Sequence, residues 1–169
     1  MKKISVLLVV ASLMPFVISA QNFFNHIYVG GGVGVNISSD YTDIAIQPTI
    51  GYRITNIFSV GIFATYEYSY GKGIDYSANS YGGGLFGRAE VPIIPGAFGL
   101  VGHAEYSFLN SNIKKNGEEW SNFNNFLPVG VGIYTQSGRT RISLVALWDV
   151  FYLKQYGSGG PTLRANIAF

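Results

Sequence analysis

The stretch that decides the fold is residues 58–68, FSVGIFATYEY, in which apolar side chains alternate with small or polar ones. Side chains two residues apart lie on the same face of a β-strand. One face of this segment therefore carries Phe58, Val60, Ile62, Ala64, Tyr66 and Tyr68. The other carries Ser59, Gly61, Thr65 and Glu67. The alternation predicts a strand with one apolar and one polar face.

Seven further segments alternate in the same way, at 27–36, 44–53, 81–91, 98–108, 126–135, 141–152 and 162–169. A tilted strand of about ten residues crosses a bilayer, and membrane barrels of single chains have an even number of strands. The sequence therefore predicts an all-β fold, an eight-stranded antiparallel up-and-down transmembrane β-barrel.

The connections between these segments alternate in length. Those at 54–56, 92–96 and 136–138 are short, whereas the others are longer and polar, above all the Asn110 to Asn122 connection. Outer-membrane barrels have short periplasmic turns and long outer loops. The longer connections are therefore expected on the outside of the cell.

Aromatic residues on the apolar face gather near the two ends of the segments. Tyr52, Phe58, Phe98 and Phe169 lie near the short turns, and the long-loop end has Tyr66, Tyr68, Tyr70, Tyr81, Tyr106, Phe108, Trp148 and Tyr152. Two aromatic girdles around an aliphatic band mark the two interfaces of a bilayer. The alternative, a soluble barrel with its apolar face inward, needs a charged exterior, and only 12% of the residues are charged.

The first twenty residues have the pattern of a cleaved secretory signal peptide. Lys2 and Lys3 precede a short apolar run, and Ser19 and Ala20 supply small residues before Gln21. Cleavage there leaves nine basic and nine acidic side chains, so the net charge favours no nucleic acid partner. We expect residues 1–20 to be the signal peptide and residues 21–169 to form the barrel, exported to the outer membrane of a Gram-negative bacterium.

Two prolines conflict with regular pairing. Pro48 and Pro128 lie inside predicted strands, and proline has no N–H to donate to a ladder. Each is expected to mark a bulge or a strand end.

The polar face carries a balanced set of charges that should fill the lumen: Arg53, Glu67, Arg88, Glu90, His103, Glu105, Arg141, Asp149 and Arg164. An eight-stranded barrel is just wide enough for its own side chains, and a buried unpaired charge is costly. We therefore predict a salt-bridged polar plug, with an ion path as the alternative. Glycines such as Gly82 and Gly84 would make room in this narrow lumen rather than hold a nucleotide.

A hydrolytic site is a weaker hypothesis. His103, Glu105 and Ser107 share one face and include the residue types of a base, an orienting acid and a nucleophile. That face points into the lumen, away from lipid substrates. We predict no enzymatic activity, no catalytic residue, no cofactor and no metal site.

The connection between the fifth and sixth strands combines Lys114, Lys115, Glu118 and Glu119 with Trp120. It is either a solvated cap or an interaction site, since exposed tryptophans often anchor protein interfaces.

The chain resembles the small outer-membrane barrels of the OmpA-domain and OmpX-like superfamily. The resemblance rests on the run Ile50 to Arg53 before a tight turn, the following Phe58 to Gly61, and the terminal alternation closing on Phe169. It implies that the barrel-assembly machinery reads Phe169 during biogenesis. The expected function is structural, or an interaction of the outer loops with a protein or surface partner, in contact with outer-membrane lipid. A narrow pore, a subunit of a larger envelope complex and a lipid-modifying enzyme are the alternatives.

Overall fold

The structure, a computed structural model, describes residues 26–37, 41–71, 76–151 and 160–169. The expected signal peptide and Tyr152 lie outside these residues. The described part contains nine strand segments: β1 (Ile27–Ile37), β2 (Tyr41–Arg53), β3 (Phe58–Gly71), β4 (Tyr76–Ile94), β5 (Phe98–Lys115), β6 (Glu118–Phe126), β7 (Pro128–Ser137), β8 (Thr140–Asp149) and β9 (Thr162–Ala168).

These segments form one closed antiparallel barrel of eight strands. Neighbours in sequence pair from β1 to β5, β7 pairs with both β5 and β8, and β9 pairs with β8 and β1. β6 and β7 together form one strand of the barrel. Phe126 of β6 pairs with Ser107 of β5, and Val129 of β7 pairs with Ala104 of β5 in the same register. The predicted fold class is confirmed.

The two prolines interrupt pairing without shifting the register. The β2–β3 ladder skips from Ile46 to Thr49 around Pro48. Pro128 separates β7 from β6 at Leu127. The β4–β5 ladder does have a register shift, but it lies between Pro92 and Ile94 and involves neither of these prolines.

The apolar face points outward along every wall of the barrel. Val131, Leu85 and Ile62 are each more than half exposed, as are Phe58 and Phe169 near the short turns. Tyrosines and Phe108 lie exposed near the opposite end. An exterior of this kind suits lipid rather than water, so the soluble-barrel alternative is wrong.

The strands differ in length more than the alternation predicts. β4 has 19 residues and β5 has 18, whereas β7 and β8 have 10 each. The predicted loop at 110–122 is mostly strand, because β5 and β6 form a hairpin whose turn is Asn116 and Gly117. Among the described residues, no helix has the length and apolar character to cross a membrane.

Candidate functional site: the lumen and the outer hairpin

The predicted lumen charges form two connected layers. In the outer layer, Arg164 of β9 pairs through Nη1 with Glu105 Oε1 of β5. The same Nη1 donates to Gln47 Oε1 of β2 at 2.6 Å, and Gln47 Nε2 donates to Glu105 Oε2 at 3.3 Å. All three side chains are buried. Three strands from different sides of the barrel are thus joined across the lumen.

His103 connects this layer to the next one. Arg88 Nε donates to His103 Nδ1 at 3.2 Å, and His103 Nε2 lies 2.6 Å from Glu105 Oε1. Because Nδ1 accepts a hydrogen bond, the proton of a neutral imidazole is on Nε2, which donates to Glu105. Both ring nitrogens are therefore occupied, and neither is available to activate Ser107 as a nucleophile.

The inner layer is centred on Glu90. Its carboxylate pairs with Arg141 Nη1 and lies 3.8 Å from Arg88 Nη1. Arg141 also donates through Nε to Gln136 Oε1 at 3.2 Å, and its guanidinium lies 4.9 Å from the ring centroid of Tyr134. One carboxylate thus holds two arginines from facing walls of the barrel.

Three of the nine predicted lumen charges do not join these layers. Arg53 stacks on the ring of Tyr28 at 5.3 Å and has no acidic partner among the described residues. Glu67 has neither a hydrogen bond nor an ion pair with any described residue. Neither side chain joins the two layers through an ion pair with a described residue, although the charge of Arg164 acts on Glu67.

Asp149 acts on the backbone instead. Its Oδ1 accepts the N–H of Leu127 at 3.1 Å and the N–H of Phe151 at 3.0 Å. Leu127 is the residue that leaves the ladder before Pro128. The carboxylate therefore satisfies a donor that the proline break would otherwise strand.

Apolar side chains fill much of the remaining lumen, which the sequence analysis missed. One buried cluster contains Tyr28, Phe63, Phe86 and Ala168, and another contains Val101, Tyr134, Val145 and Leu147. The lumen filling is therefore mixed rather than a purely polar plug.

Four inward aromatic rings lie over glycines of the adjacent strand. The cross-strand pairs are Tyr28 with Gly51, Phe86 with Gly61, Phe63 with Gly84, and Tyr134 with Gly99. A Cβ added to any of these glycines would lie between 2.2 and 2.8 Å from a ring atom of its partner. The four glycines thus make room in the lumen, as predicted for Gly84, and the space they leave is taken by aromatic rings.

A cavity of about 230 Å³ lies beyond the outer layer, toward the long-loop end of the barrel. Its floor includes Arg164, Glu105 and Gln47, and its walls carry Asp43 and Glu67 together with ten or more smaller or apolar side chains from most of the strands.

The β5–β6 hairpin lies at the same end, with β4 paired beside β5 as far as Tyr76↔Lys115. Lys114 pairs with Glu119 across its outer face, and Lys115 lies opposite Glu118 near the turn. The Glu119 carboxylate raises the pKa of Lys114 through a hydrogen bond and its charge. Trp120 lies opposite Ile113 on the face that continues the lumen side, and it is 44% exposed. The five predicted hairpin residues are therefore brought together.

Phe169 ends the chain against β1. Its N–H donates to Val29 O at 2.9 Å, which extends the β1–β9 ladder, and its ring is exposed toward the bilayer side. Its role in assembly stays a prediction. No group of three potential metal ligands occurs among the described residues.

Two solved structures share this architecture. Neisserial surface protein A is 13% identical, with a TM-score of 0.63 over 85% of this chain and 96% of that one. The N-terminal β-barrel domain of Pseudomonas aeruginosa OprF is 11% identical, with a TM-score of 0.56 over 84% of this chain and 96% of that one. The chain has the fold of small outer-membrane barrels. At this identity the likeness is one of fold. No family model and no curated protein sequence matches the chain.

Proposed function

We propose that this chain is an integral protein of the Gram-negative outer membrane, exported by a cleaved signal peptide, that recognises a protein partner through its β5–β6 hairpin. It performs no chemistry, and its lumen conducts no ions. The hairpin is the observation that carries the proposal. Nine cross-strand pairs, from Ser107↔Phe126 to Lys115↔Glu118, form it, and β4 pairs with the other edge of β5 as far as Tyr76↔Lys115.

The hairpin has the features of a recognition surface. Lys114 lies six residues beyond Phe108 of the aromatic girdle, which corresponds to roughly 20 Å along an extended strand. Among the described residues β6 pairs only with β5, and its second edge is the place where a strand of the partner would add to the sheet. Trp120 and Phe123 are both exposed on this hairpin. Aromatic anchors of this kind contribute most to protein interfaces.

Deleting the hairpin is expected to abolish partner binding and to leave the barrel folded. Replacing residues 111–122 with Asn-Gly would join Asn110 to Phe123 through a tight hairpin turn. Cross-linking on intact cells, followed by identification of the attached protein, measures binding. A heat-modifiable band on a gel checks folding.

Two point variants refine this experiment. Trp120→Ala should weaken binding by about tenfold or more, the range of a hot-spot residue. Ser121→Ala, at the neighbouring position on the opposite face, serves as the matched control. If the deleted barrel still captures the same partner and a change in the lipid-facing wall prevents capture, the protein is a membrane-embedded subunit instead.

The purified barrel is expected to show no steady conductance in planar bilayers. The two ion-pair layers and the two apolar clusters occupy the lumen, and the arginines of the inner layer oppose the entry of cations. Single-channel recording at physiological salt tests this. Regular current steps of constant size would establish the narrow-pore alternative.

A lipid-modifying enzyme is the least supported alternative. The His103 ring nitrogens are engaged by Arg88 and Glu105, and Ser107 is buried in the lumen away from lipid. Release of fatty acid from labelled outer-membrane lipid by the purified barrel would contradict the proposal.

A further inference from the structure

We propose that the outward face of β3, β4, β5 and β6, at and beyond the outer aromatic girdle, binds the sugar headgroup of the glycolipid that surrounds the barrel. Cross-strand pairing places the outward side chains of these strands in three rows of four, here named the outer panel. The rows are Tyr66, Tyr81, Asn110 and Phe123; Tyr68, Asn79, Asn112 and Ser121; and Tyr70, Ser77, Lys114 and Glu119. The proposal rests on the outer-membrane location proposed above, but it does not depend on a protein partner of the hairpin.

The outer panel continues the lipid-facing wall of the barrel. Ile62 of β3 and Leu85 of β4 are exposed on the same face and lie below the first row, where they meet hydrocarbon. Tyr66 and Tyr81 of that row belong to the aromatic girdle, which marks the edge of the hydrocarbon. The second and third rows lie roughly 7 and 13 Å farther along the strands, which places them among lipid headgroups. In the outer leaflet of a Gram-negative outer membrane these headgroups are sugars.

The charge of the outer panel favours sugar hydroxyls over phosphates. Ten of the twelve side chains are uncharged, and the other two, Lys114 and Glu119, form an ion pair with each other. A phosphate group is recognised through lysine or arginine side chains that are free to bind it. The panel offers none, so its polar groups suit a neutral ligand rich in hydroxyl groups.

Hydrogen bonds within the panel hold its polar groups in place. Ser121 Oγ donates to Asn110 Oδ1 at 2.7 Å, and Asn110 Nδ2 donates to the Tyr81 hydroxyl at 3.0 Å. Because the Tyr81 oxygen accepts this bond, its own O–H is left to donate to a ligand. Likewise, the Tyr66 hydroxyl donates to Asn79 Oδ1 at 2.7 Å, which leaves the Asn79 amide N–H groups to donate. Donors that are already positioned lose little conformational entropy when a ligand binds.

Two tyrosine rings at the β3 edge of the panel supply apolar contact. The rings of Tyr68 and Tyr70 lie 6.3 Å apart with an angle of 27° between their planes, and each residue is 41% exposed. Tyrosine rings give rigid contact area at a small entropic cost, and the C–H faces of sugar rings pack on such surfaces. The panel measures roughly 14 Å across its strands and 13 Å along them, which is the size of a di- or trisaccharide.

Binding of rough-type lipopolysaccharide to the folded mature barrel in detergent tests the proposal, with native mass spectrometry as the measurement of the dissociation constant. Tyr68→Ala combined with Asn79→Leu removes an aromatic ring and an amide from the second row. This double variant should weaken binding by about tenfold or more. Tyr52→Ala is the matched control and should leave binding unchanged, because Tyr52 is a tyrosine of the apolar face near the short turns, where it pairs with Val60.

Two further measurements identify the part of the glycolipid that is bound. The deacylated oligosaccharide should compete with lipopolysaccharide, at a higher concentration because it lacks the acyl chains that hold the glycolipid beside the barrel. Raising NaCl from about 0.1 M to about 1 M shortens the Debye length to about 3 Å. The dissociation constant should change by less than about twofold, since the panel has no unpaired charge to screen.

The proposal is wrong if the double variant gives a heat-modifiable band and binds lipopolysaccharide as tightly as the wild type, or if Tyr52→Ala weakens binding equally. Failure of the oligosaccharide to compete would indicate contact with acyl chains alone, and loss of binding at high salt would indicate contact with phosphates. Either result overturns sugar recognition.

Trp120→Ala separates this proposal from the proposed function. Trp120 lies on the opposite face of the hairpin from Ser121, so its replacement should weaken capture of the protein partner and leave lipopolysaccharide binding unchanged. The double variant of Tyr68 and Asn79 should do the reverse. If that variant loses the protein partner and keeps lipopolysaccharide, the outer panel is a protein-binding surface and the proposal of sugar recognition is wrong.

Discussion

Replacing Arg164 with Leu is expected to lower the free energy of unfolding by about 3 to 5 kcal/mol, the cost of breaking a buried ion pair. Arg164 is the only arginine that pairs with Glu105 in the described part of the chain, and both side chains are buried. Its loss leaves the Glu105 carboxylate with His103 and the weaker amide of Gln47. A buried charge without a full partner is the main source of the expected cost.

Arg53→Leu is the matched control for this prediction. Arg53 is also an inward arginine on a barrel strand, but it stacks on the Tyr28 ring and has no described acidic partner. Its replacement should cost no more than about 1 kcal/mol, the value of a cation–π contact. Urea unfolding of both variants in lipid vesicles measures the difference.

A double variant separates charge from packing. Arg164→Leu combined with Glu105→Gln removes the stranded carboxylate, so part of the lost stability should return. If Arg164→Leu and Arg53→Leu destabilise the barrel equally, or if Glu105→Gln restores nothing, the outer layer does not hold the barrel together through charge.

The sequence predicted the outer surface of the barrel far better than its interior. The alternation in residues 58–68 depends only on the local pleat and on which face meets lipid, so it can be read along one strand. Pairing between strands is different. Arg164 and Glu105 meet because of the stagger of a closed barrel, and they are 59 residues apart in sequence. The stagger is a property of all eight strands together, and no single segment encodes it.

The apolar filling of the lumen was missed for a related reason. Val145 and Leu147 lie between outward-facing apolar residues of β8, so their segment is apolar on both faces and carries little alternation. Tyr134 of β7 and Val101 of β5 are likewise inward-facing apolar residues, and they weaken the alternation of their strands. In such an apolar segment, the face that points into the lumen cannot be identified until the opposite wall of the barrel is known.

The hairpin left one usable signal in the sequence. Asn116 and Gly117 have φ angles of 53° and 83°, which a tight two-residue turn requires and which Asn-Gly favours. The flanking residues alternate weakly because both faces of the hairpin carry polar side chains. The dipeptide therefore could have identified the turn, whereas the length of the strands could not be predicted from hydropathy.

Replacing Gly51 with Val is expected to destabilise the barrel by about 3 kcal/mol, at the upper end of the range for overpacking. The three nearest atoms to an added Cβ at Gly51 all belong to Tyr28, at 2.2 to 2.5 Å. That ring cannot move aside easily. It is 6% exposed, its hydroxyl donates to Ser59 Oγ at 3.3 Å, and Arg53 lies over it.

Gly87→Val is the matched control, because nothing lies within 4 Å of a Cβ added at Gly87 and the position belongs to the lipid-facing set of β4. A β-branched apolar residue suits a lipid-facing strand, so this change should be neutral or slightly stabilising. Urea unfolding in vesicles and the heat-modifiable band measure both variants. Gly51→Val should also yield less folded barrel in cells than Gly87→Val.

The clash between Tyr28 and a side chain at position 51 predicts a strong coupling between the two positions. Tyr28→Ala alone removes a buried ring and destabilises the barrel, yet it opens the space that the new valine side chain of Gly51→Val would occupy. The double variant should therefore lose less stability than the two single variants together, by about 1 to 3 kcal/mol. Gly51 is the best position for this test, because the three nearest atoms to its added Cβ belong to the Tyr28 ring and hydroxyl. The other ring-covered glycines, Gly61, Gly84 and Gly99, also have a backbone oxygen within 2.4 Å of the added Cβ. Additive losses would mean that the two residues act independently and that glycine is needed at position 51 for backbone conformation rather than for the ring that covers it.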